Sequence, residues 1–250
     1  MRRVPLVING TGSLADRFSA LVRELGEDIA GREGIMLDIG SEFGPEPSVL
    51  VDTVPAEEVP GEEVAALLDA VRGGHAAVTA DLAGLVQHPA DFAVLRADRR
   101  LGLAGALLPG LPLAETLARH RDAGDVVTQV EIDGSAPSGL VDEALTVAAL
   151  LGLELERRHV RLNGDSGAGR WRAVIGSRFP AVSSVDGPPP GDVRTAIVRT
   201  ERTGPAGVTL CGPVGGDNRV ADAMLGDVLT LARERDTPWR AHRRQTWRPR

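Results

Sequence analysis

Apolar residues set the first boundary markers along this 250-residue chain. The run "VPLVI" is continuous enough for a buried strand, and "LADRFSALVREL" behind it places Leu14, Phe18, Leu21, Val22 and Leu25 at helical spacing. Between them lies the glycine turn "NGTGS", so the segment reads strand, turn, helix. Two further short apolar runs, "GIMLDIG" and "SVLVDTV", are followed by the helical "GEEVAALLDAVRGG" and a third run, "HAAVTA". Strands alternating with helices predict a parallel sheet covered on its faces.

Beyond about residue 100 the pattern changes. "VVTQVEI" and "TAIVRTE" alternate with period two, "RWRAVIGSRF" adds another strand-like run, and "VDEALTVAALLGL" is helical. Pro/Gly-rich turns such as "DGPPPGD" separate them, which predicts a smaller α+β unit with a largely antiparallel sheet. "GVTLCGPVGG" and "RVADAMLGDVLTLARERD" then give one more strand, a glycine turn and a long helix. The organisation expected is α/β: a Rossmann-type domain from residues 1–100 plus 205–235, an inserted α+β domain over 101–204, and a basic tail at 236–250. Alternation in the inserted sheet leaves one face free to pack, so a homodimer is expected.

Composition trims the possibilities. A net charge of −7 disfavours general nucleic-acid binding, which needs a basic surface. The tail "RAHRRQTWRPR" is the exception, read first as a solvated end and second as a docking segment. No apolar run approaches the ~20 residues of a bilayer span, and the start shows no signal-peptide pattern. One cysteine, Cys211, fits a reducing compartment, so a cytoplasmic protein with no membrane contact is expected. Scattered histidines give no metal spacing, and neither "NGDSGAG" nor "GSAPSG" forms a nucleophile elbow.

The opening turn carries the clearest chemistry. Gly10, Gly12 and Ala15 form G-x-G-x-x-A between a predicted strand and a predicted helix. In that context the first glycine permits the turn, the second lets backbone approach a pyrophosphate, and Ala15 permits close helix packing. Gly10, Thr11, Gly12, Ser13 and Leu14 are therefore the candidate NAD or NADP loop, with free N–H groups at the helix start. Asp38 is the first candidate for a ribose hydroxyl and Glu42 the second. Gly212 and Gly215, in the later glycine turn, complete the cofactor set.

These stretches, in this order, resemble the homoserine dehydrogenases over roughly residues 4 to 233. "VINGTGSLADRF" stands where that family has its glycine loop, and "LLDAVRGGHAAVTADLAGL" is similar to the segment ending in T-A-N-K. "LAGALLPGLPLAETL" resembles its E-A-x-V-x-x-x-x-P-I stretch, "VEIDGSAPSGL" its N-G-T-T-N turn, and "CGPVGGDNRVADAMLGDVL" its G-P-G-A-G-G segment. The resemblance implies a Rossmann fold with an inserted dimerisation sheet, a nicotinamide cofactor and lysine-based proton transfer.

The departures fall on that last point, because the chain contains no lysine. The general acid/base lysine of the family falls on Leu82, or on Asp81 with the register moved by one. Its substrate-binding glutamate falls on Ala104, later acidic positions fall on Arg157, Arg161 and Ser166, and a second lysine falls on Arg170. A guanidinium stays charged and donates hydrogen bonds, so it makes a poor base. Asp81 and His159 remain as candidate catalytic groups, Asp81 against a reading as a polar cap on the next helix. Arg161 and Arg170 remain as a candidate clamp for an anionic small metabolite, against an ion-paired surface. His75 reads as structural. The functional expectation is an NAD(P)-binding oxidoreductase acting on an anion other than homoserine. The alternatives are a non-redox cyclase, lyase or isomerase on the same scaffold, and a non-catalytic ligand-binding or partner protein.

Overall fold

The computed structural model describes residues 1–54, 62–80, 82–97, 100–103, 110–122, 124–135, 139–153, 155–165, 170–176, 193–213 and 216–234. The chain opens with β1 (Arg2–Asn9) and α1 (Ser13–Glu33). Ala15, Phe18, Leu21, Val22 and Ile29 are the buried residues of α1, whereas Leu25, expected inside, lies outward. Gly34 stops the helix in the left-handed region at φ 67°, its N–H bonding back to the Ala30 carbonyl.

β2 (Ile35–Gly40), β3 (Val49–Asp52), β4 (Ala76–Thr79) and β5 (Leu101–Leu103) complete a parallel sheet in the order β2-β1-β3-β4-β5. One face carries α1 and α7 (Asp217–Glu234), whose Ala221, Met224, Leu225 and Val228 join Val4, Leu6, Val49, Val51 and Val78 in one core. The other face carries α2 (Glu62–Arg72), α3 (Leu82–Gln87) and α4 (Pro89–Ala97), through Leu67, Val71, Leu85, Phe92 and Leu95. Cover on both faces explains why the inner strands read as continuous apolar runs. From β1 the chain crosses to β2 on the α1 face, and β3 is followed by α2 on the opposite face. The gap between β1 and β3 is thus a topological switch point, where α/β sheets bind ligands at their carboxyl ends.

α5 (Gly110–Asp122), β6 (Val127–Gly134), α6 (Leu140–Leu150), β7 (Val160–Asp165), β8 (Arg170–Ile175), β9 (Val193–Thr200) and β10 (Val208–Pro213) build the second unit. Its sheet runs β10-β9-β6-β8-β7, antiparallel throughout, with α5 and α6 over Val130, Ile132, Ala173, Ala196 and Val198. Two strands therefore lie across the expected boundaries. β5 extends the parallel sheet, and β10 hydrogen-bonds to β9 instead of returning at residue 205. Consecutive strands pair across the 201–207 turn, and the chain rejoins the first sheet only with α7, whose Asp227 Cβ would lie 2.8 Å from any Cβ on Gly102.

The centre of the opposite face of the antiparallel sheet is polar and closely packed. Gln129, Glu131, Ile197 and Arg199 are each at most 2% exposed within the single chain. Among the described residues no helix is long and apolar enough to cross a membrane.

Candidate functional site

Three strand ends meet at the switch point around one carboxylate. Asp52, at the end of β3, accepts from Asn9 Nδ2 at 3.1 Å and from Thr79 Oγ1 at 2.8 Å. Thr53 clamps the Asn9 carbonyl twice, through its N–H at 2.8 Å and its hydroxyl at 2.9 Å. Asp52 and Thr79 are buried, so this satisfied network fixes where the glycine loop leaves β1.

The two glycines then do different jobs. Gly10, at φ 109°, has no room for a side chain, since a Cβ would lie 2.7 Å from Thr53 Oγ1. Gly12, at φ 103° and ψ −169°, precedes α1, and a Cβ there would meet nothing within 4 Å. No side chain caps the helix, so its first N–H groups face that open space with the positive end of the helix dipole. Thr11 and Ser13 are exposed beside it, while Leu14 packs its side chain on the core and offers only backbone. Ala15 is buried, as close helix packing requires. A backbone cradle with free donors is the chemistry a pyrophosphate needs, and these residues fit a dinucleotide.

Two clefts flank the loop. One, about 640 Å³, lies where the N-termini of α1 and α7 approach, lined by Ser13, Arg17, Gly216, Asp217, Asn218 and Arg219. Gly216 takes the place expected for Gly212, which is drawn into β10 opposite Arg194. Gly215 lies outside the described residues. The other cleft, about 530 Å³, is lined among others by Asn9, Ser41, Glu42, Asp69 and His75. It occupies the α2 face beside β1 and β2, where only the 41–48 loop, with no helix, joins β2 to β3. His75 accepts the Ser48 N–H through Nδ1 at 3.1 Å and stacks on Phe43 with ring centroids 4.4 Å apart, a structural role.

Asp38 does not line that cleft. It pairs in register with Pro5, two residues before β2 ends, and accepts from Arg3 Nε at 2.9 Å. Glu42, the second candidate, lines the 530 Å³ cleft together with Asn9.

The expected catalytic and substrate groups are placed elsewhere. His159 belongs to an exposed 3-10 turn, Arg157–His159, with Nδ1 accepting the Glu156 N–H at 2.9 Å in a capping box. It lines neither cleft, so the ring is used as a cap. Arg157 bonds Asp142 and Arg158 bonds Glu156, the ion-paired surface of the simpler reading. Arg161 donates to the Gly176 carbonyl at 2.8 Å. Arg170 reaches Asp133 at 3.2 Å, and Arg172 holds the same carboxylate at 2.5 and 2.8 Å. Arg161 and Arg170 are thus not one clamp. Asp81, Ala104 and Ser166 lie outside the described residues, and Leu82 is the first residue of α3.

Charged groups unassigned from sequence fill the back of the antiparallel sheet. Arg199 donates to Glu131 at 2.5 Å and to the Pro205 carbonyl at 2.6 Å, and Gln129 Nε2 also bonds Glu131. Burial opposes the Arg172 charge, but the hydrogen bond and attraction of Asp133, with Glu131 behind, outweigh it and raise its pKa. Glu143, on the helix side, takes Gly110 N–H and Arg194 Nη1, each at 3.0 Å. Burial raises its pKa, and Arg194 and the Gly110 N–H only partly offset that. The signal for the back of the sheet was present: Glu131 and Asp133 alternate within "VEIDG" as Arg170 and Arg172 do within "RWR". Among the described residues no group of three or more His, Cys, Asp or Glu side chains is placed to hold a metal.

No protein-family model matches the sequence, and no curated protein matches it. Solved structures do. A hyperthermophilic archaeal homoserine dehydrogenase mutant in complex with NADPH superposes with a TM-score of 0.57 at 15% identity, over 93% of this chain and 98% of its own. Homoserine dehydrogenase from Thermoplasma acidophilum gives 0.57 at 15%, over 93% and 100%. The fold is that of the homoserine dehydrogenases. A Candida auris protein of unknown function shares it, with a TM-score of 0.63 at 12% identity, over 93% of this chain and 99% of its own. Within this homoserine dehydrogenase-like fold, the present chain keeps the glycine loop at the switch point and contains no lysine.

Proposed function

We propose that the chain binds a nicotinamide dinucleotide at the Gly10–Leu14 loop and serves as an oxidoreductase for a small anion other than homoserine. The observation that carries the reading is Gly12: its missing side chain faces open space at an uncapped helix start, between the two clefts. The archaeal homoserine dehydrogenase of the same fold is in complex with NADPH, which supports the cofactor class. When bound, such a cofactor supplies hydride-transfer chemistry. The chain's own part is to hold the pyrophosphate on backbone N–H groups and to seat the adenosine half beside Glu42.

An anionic substrate is favoured by Arg17 and Arg219, which line the 640 Å³ cleft beside the glycine loop. A non-catalytic dinucleotide-binding role is the second reading, favoured by the consumption of His159 as a cap and of Arg161 on a carbonyl. Calorimetric titration of the purified protein with NADH and NADPH tests the first step, and binding of neither would end both readings. Homoserine should not be oxidised at a useful rate, because loss of a general acid/base alone costs about 10²- to 10⁴-fold. Rapid nicotinamide reduction by homoserine would refute the substrate part. Turnover of other hydroxy or oxo acids would decide between enzyme and binding module.

A further inference from the structure

We infer that the adenosine cleft selects the cofactor with a free ribose 2′-hydroxyl, so that the protein takes NAD(H) in preference to NADP(H). The inference rests on the dinucleotide reading above. β2 ends at Gly40, which pairs with Val7, and Glu42 follows two residues later, lining the 530 Å³ cleft together with Asn9. A carboxylate at that point accepts hydrogen bonds from a ribose diol, whereas a 2′-phosphate there needs an arginine.

Among the described residues, those lining the cleft include two carboxylates, Glu42 and Asp69, and no arginine. The 41–47 segment, Ser-Glu-Phe-Gly-Pro-Glu-Pro, adds Glu46 and no basic side chain. Arg2 and Arg3 stand opposite Ile35 and Met36, and Met36 is about 13 Å down the strand from Gly40 at ~3.3 Å per residue. Arg3 is moreover held by Asp38.

The loop is also fixed from both ends. Phe43 stacks on His75, and the same imidazole accepts the Ser48 N–H, so Glu42 lies between the end of β2 and an anchored ring. A dianionic 2′-phosphate would then meet like charge with no cationic partner. Such juxtapositions cost enough to lower affinity by about tenfold or more.

The test is calorimetric titration of wild type, Glu42→Gln and Glu42→Arg with NADH and NADPH, with circular dichroism to check the fold of the exposed-site variants. Wild type should bind NADH at least ~10-fold more tightly than NADPH. Glu42→Gln should narrow the ratio, and Glu42→Arg should bring it to one or invert it. Equal or tighter NADPH binding by wild type would overturn the preference while leaving the dinucleotide reading intact. An unchanged ratio in Glu42→Arg would overturn the assignment to Glu42. Binding of neither cofactor by wild type would remove the preference and the reading together.

Discussion

The carboxyl edge of the parallel sheet and the back of the antiparallel sheet are the two polar regions of this molecule, and they are built on opposite principles. At the edge, polar groups are few: one buried aspartate ties three strands together, and the loop above it presents bare backbone to open space. At the back, charged side chains are many, and Arg199, Arg172 and Arg170 are all bound to Glu131 or Asp133. A ligand needs donors still unspent. Concentrated charge therefore marks where the chain holds itself together, and the sparse edge marks where it can hold something else.

The largest effect that could break this comparison is at the back. Arg199 and Glu131 are at most 1% exposed, and removing the guanidinium leaves the Glu131 carboxylate buried with only Gln129 Nε2 and the more distant Arg172 beside it. Arg199→Ala should lower the unfolding free energy by about 3–5 kcal/mol, read by chemical denaturation. A loss below 1 kcal/mol would mean that the ladder is solvated and available for a ligand. Gly12→Asp probes the edge. It places a carboxylate against the pyrophosphate position and should remove measurable dinucleotide binding. Its backbone conformation also disfavours any side chain, so a stability cost of ~1–3 kcal/mol is expected with it. Retained cofactor affinity in a folded Gly12→Asp protein would move the site away from this loop.

How legible these regions were follows from their periodicity. α1 and β1 are long, and β3 and β4 are apolar up to a last polar residue, so all four read directly, and the glycine loop announced itself because strand and helix framed it. The stretch from residue 82 to 122 did not: α3 has six residues, β5 has three, and prolines and glycines break the pattern at α5. β7 was hidden because its "VRLNGD" is polar, being an edge strand whose outward positions meet water. For the site, sequence spacing favoured Asp38 over Glu42 because the length of α1 and the end of β2 set which acid lines the cleft. His159 and the arginines looked chemically free because a chain position does not reveal the carbonyl or carboxylate that occupies a donor. Buried Glu143 and half-buried Arg194 lie 51 residues apart, a pairing visible only in the fold.

A smaller effect separates the two arginines once taken as one clamp. Arg170 shares Asp133 with Arg172 and is partly exposed, so Arg170→Ala should cost roughly 1 kcal/mol. Arg161→Ala loses a single exposed bond to a carbonyl and should stay within about 0.5 kcal/mol of wild type. Parallel melts of the two variants check the ordering. Equal large losses would indicate a shared role that the separate hydrogen bonds do not provide.

The finest distinction concerns Glu143, whose pKa burial raises above the ordinary 4.5. Because the folded protein binds this proton more tightly than the unfolded chain, stability assigned to Glu143 is fully present below the unfolded pKa. It is lost as pH rises through the raised folded value. Glu143→Gln removes the titration and keeps an acceptor for the Gly110 N–H. The stability of wild type relative to Glu143→Gln should therefore decline as pH rises from about 4 toward neutrality, through the window that opens at the unfolded value. Comparing the two proteins cancels the opposite contributions of Glu33, held down by Arg233, and Asp125, where hydrogen bonds from Thr200 and Arg202 overcome desolvation. Denaturation midpoints at several pH values read the slope. A difference that grew with pH would mean that Arg194 overcomes burial and holds Glu143 ionised. The helix side of the second sheet would then be held, like its back, by charge pairs that favour the ionised form.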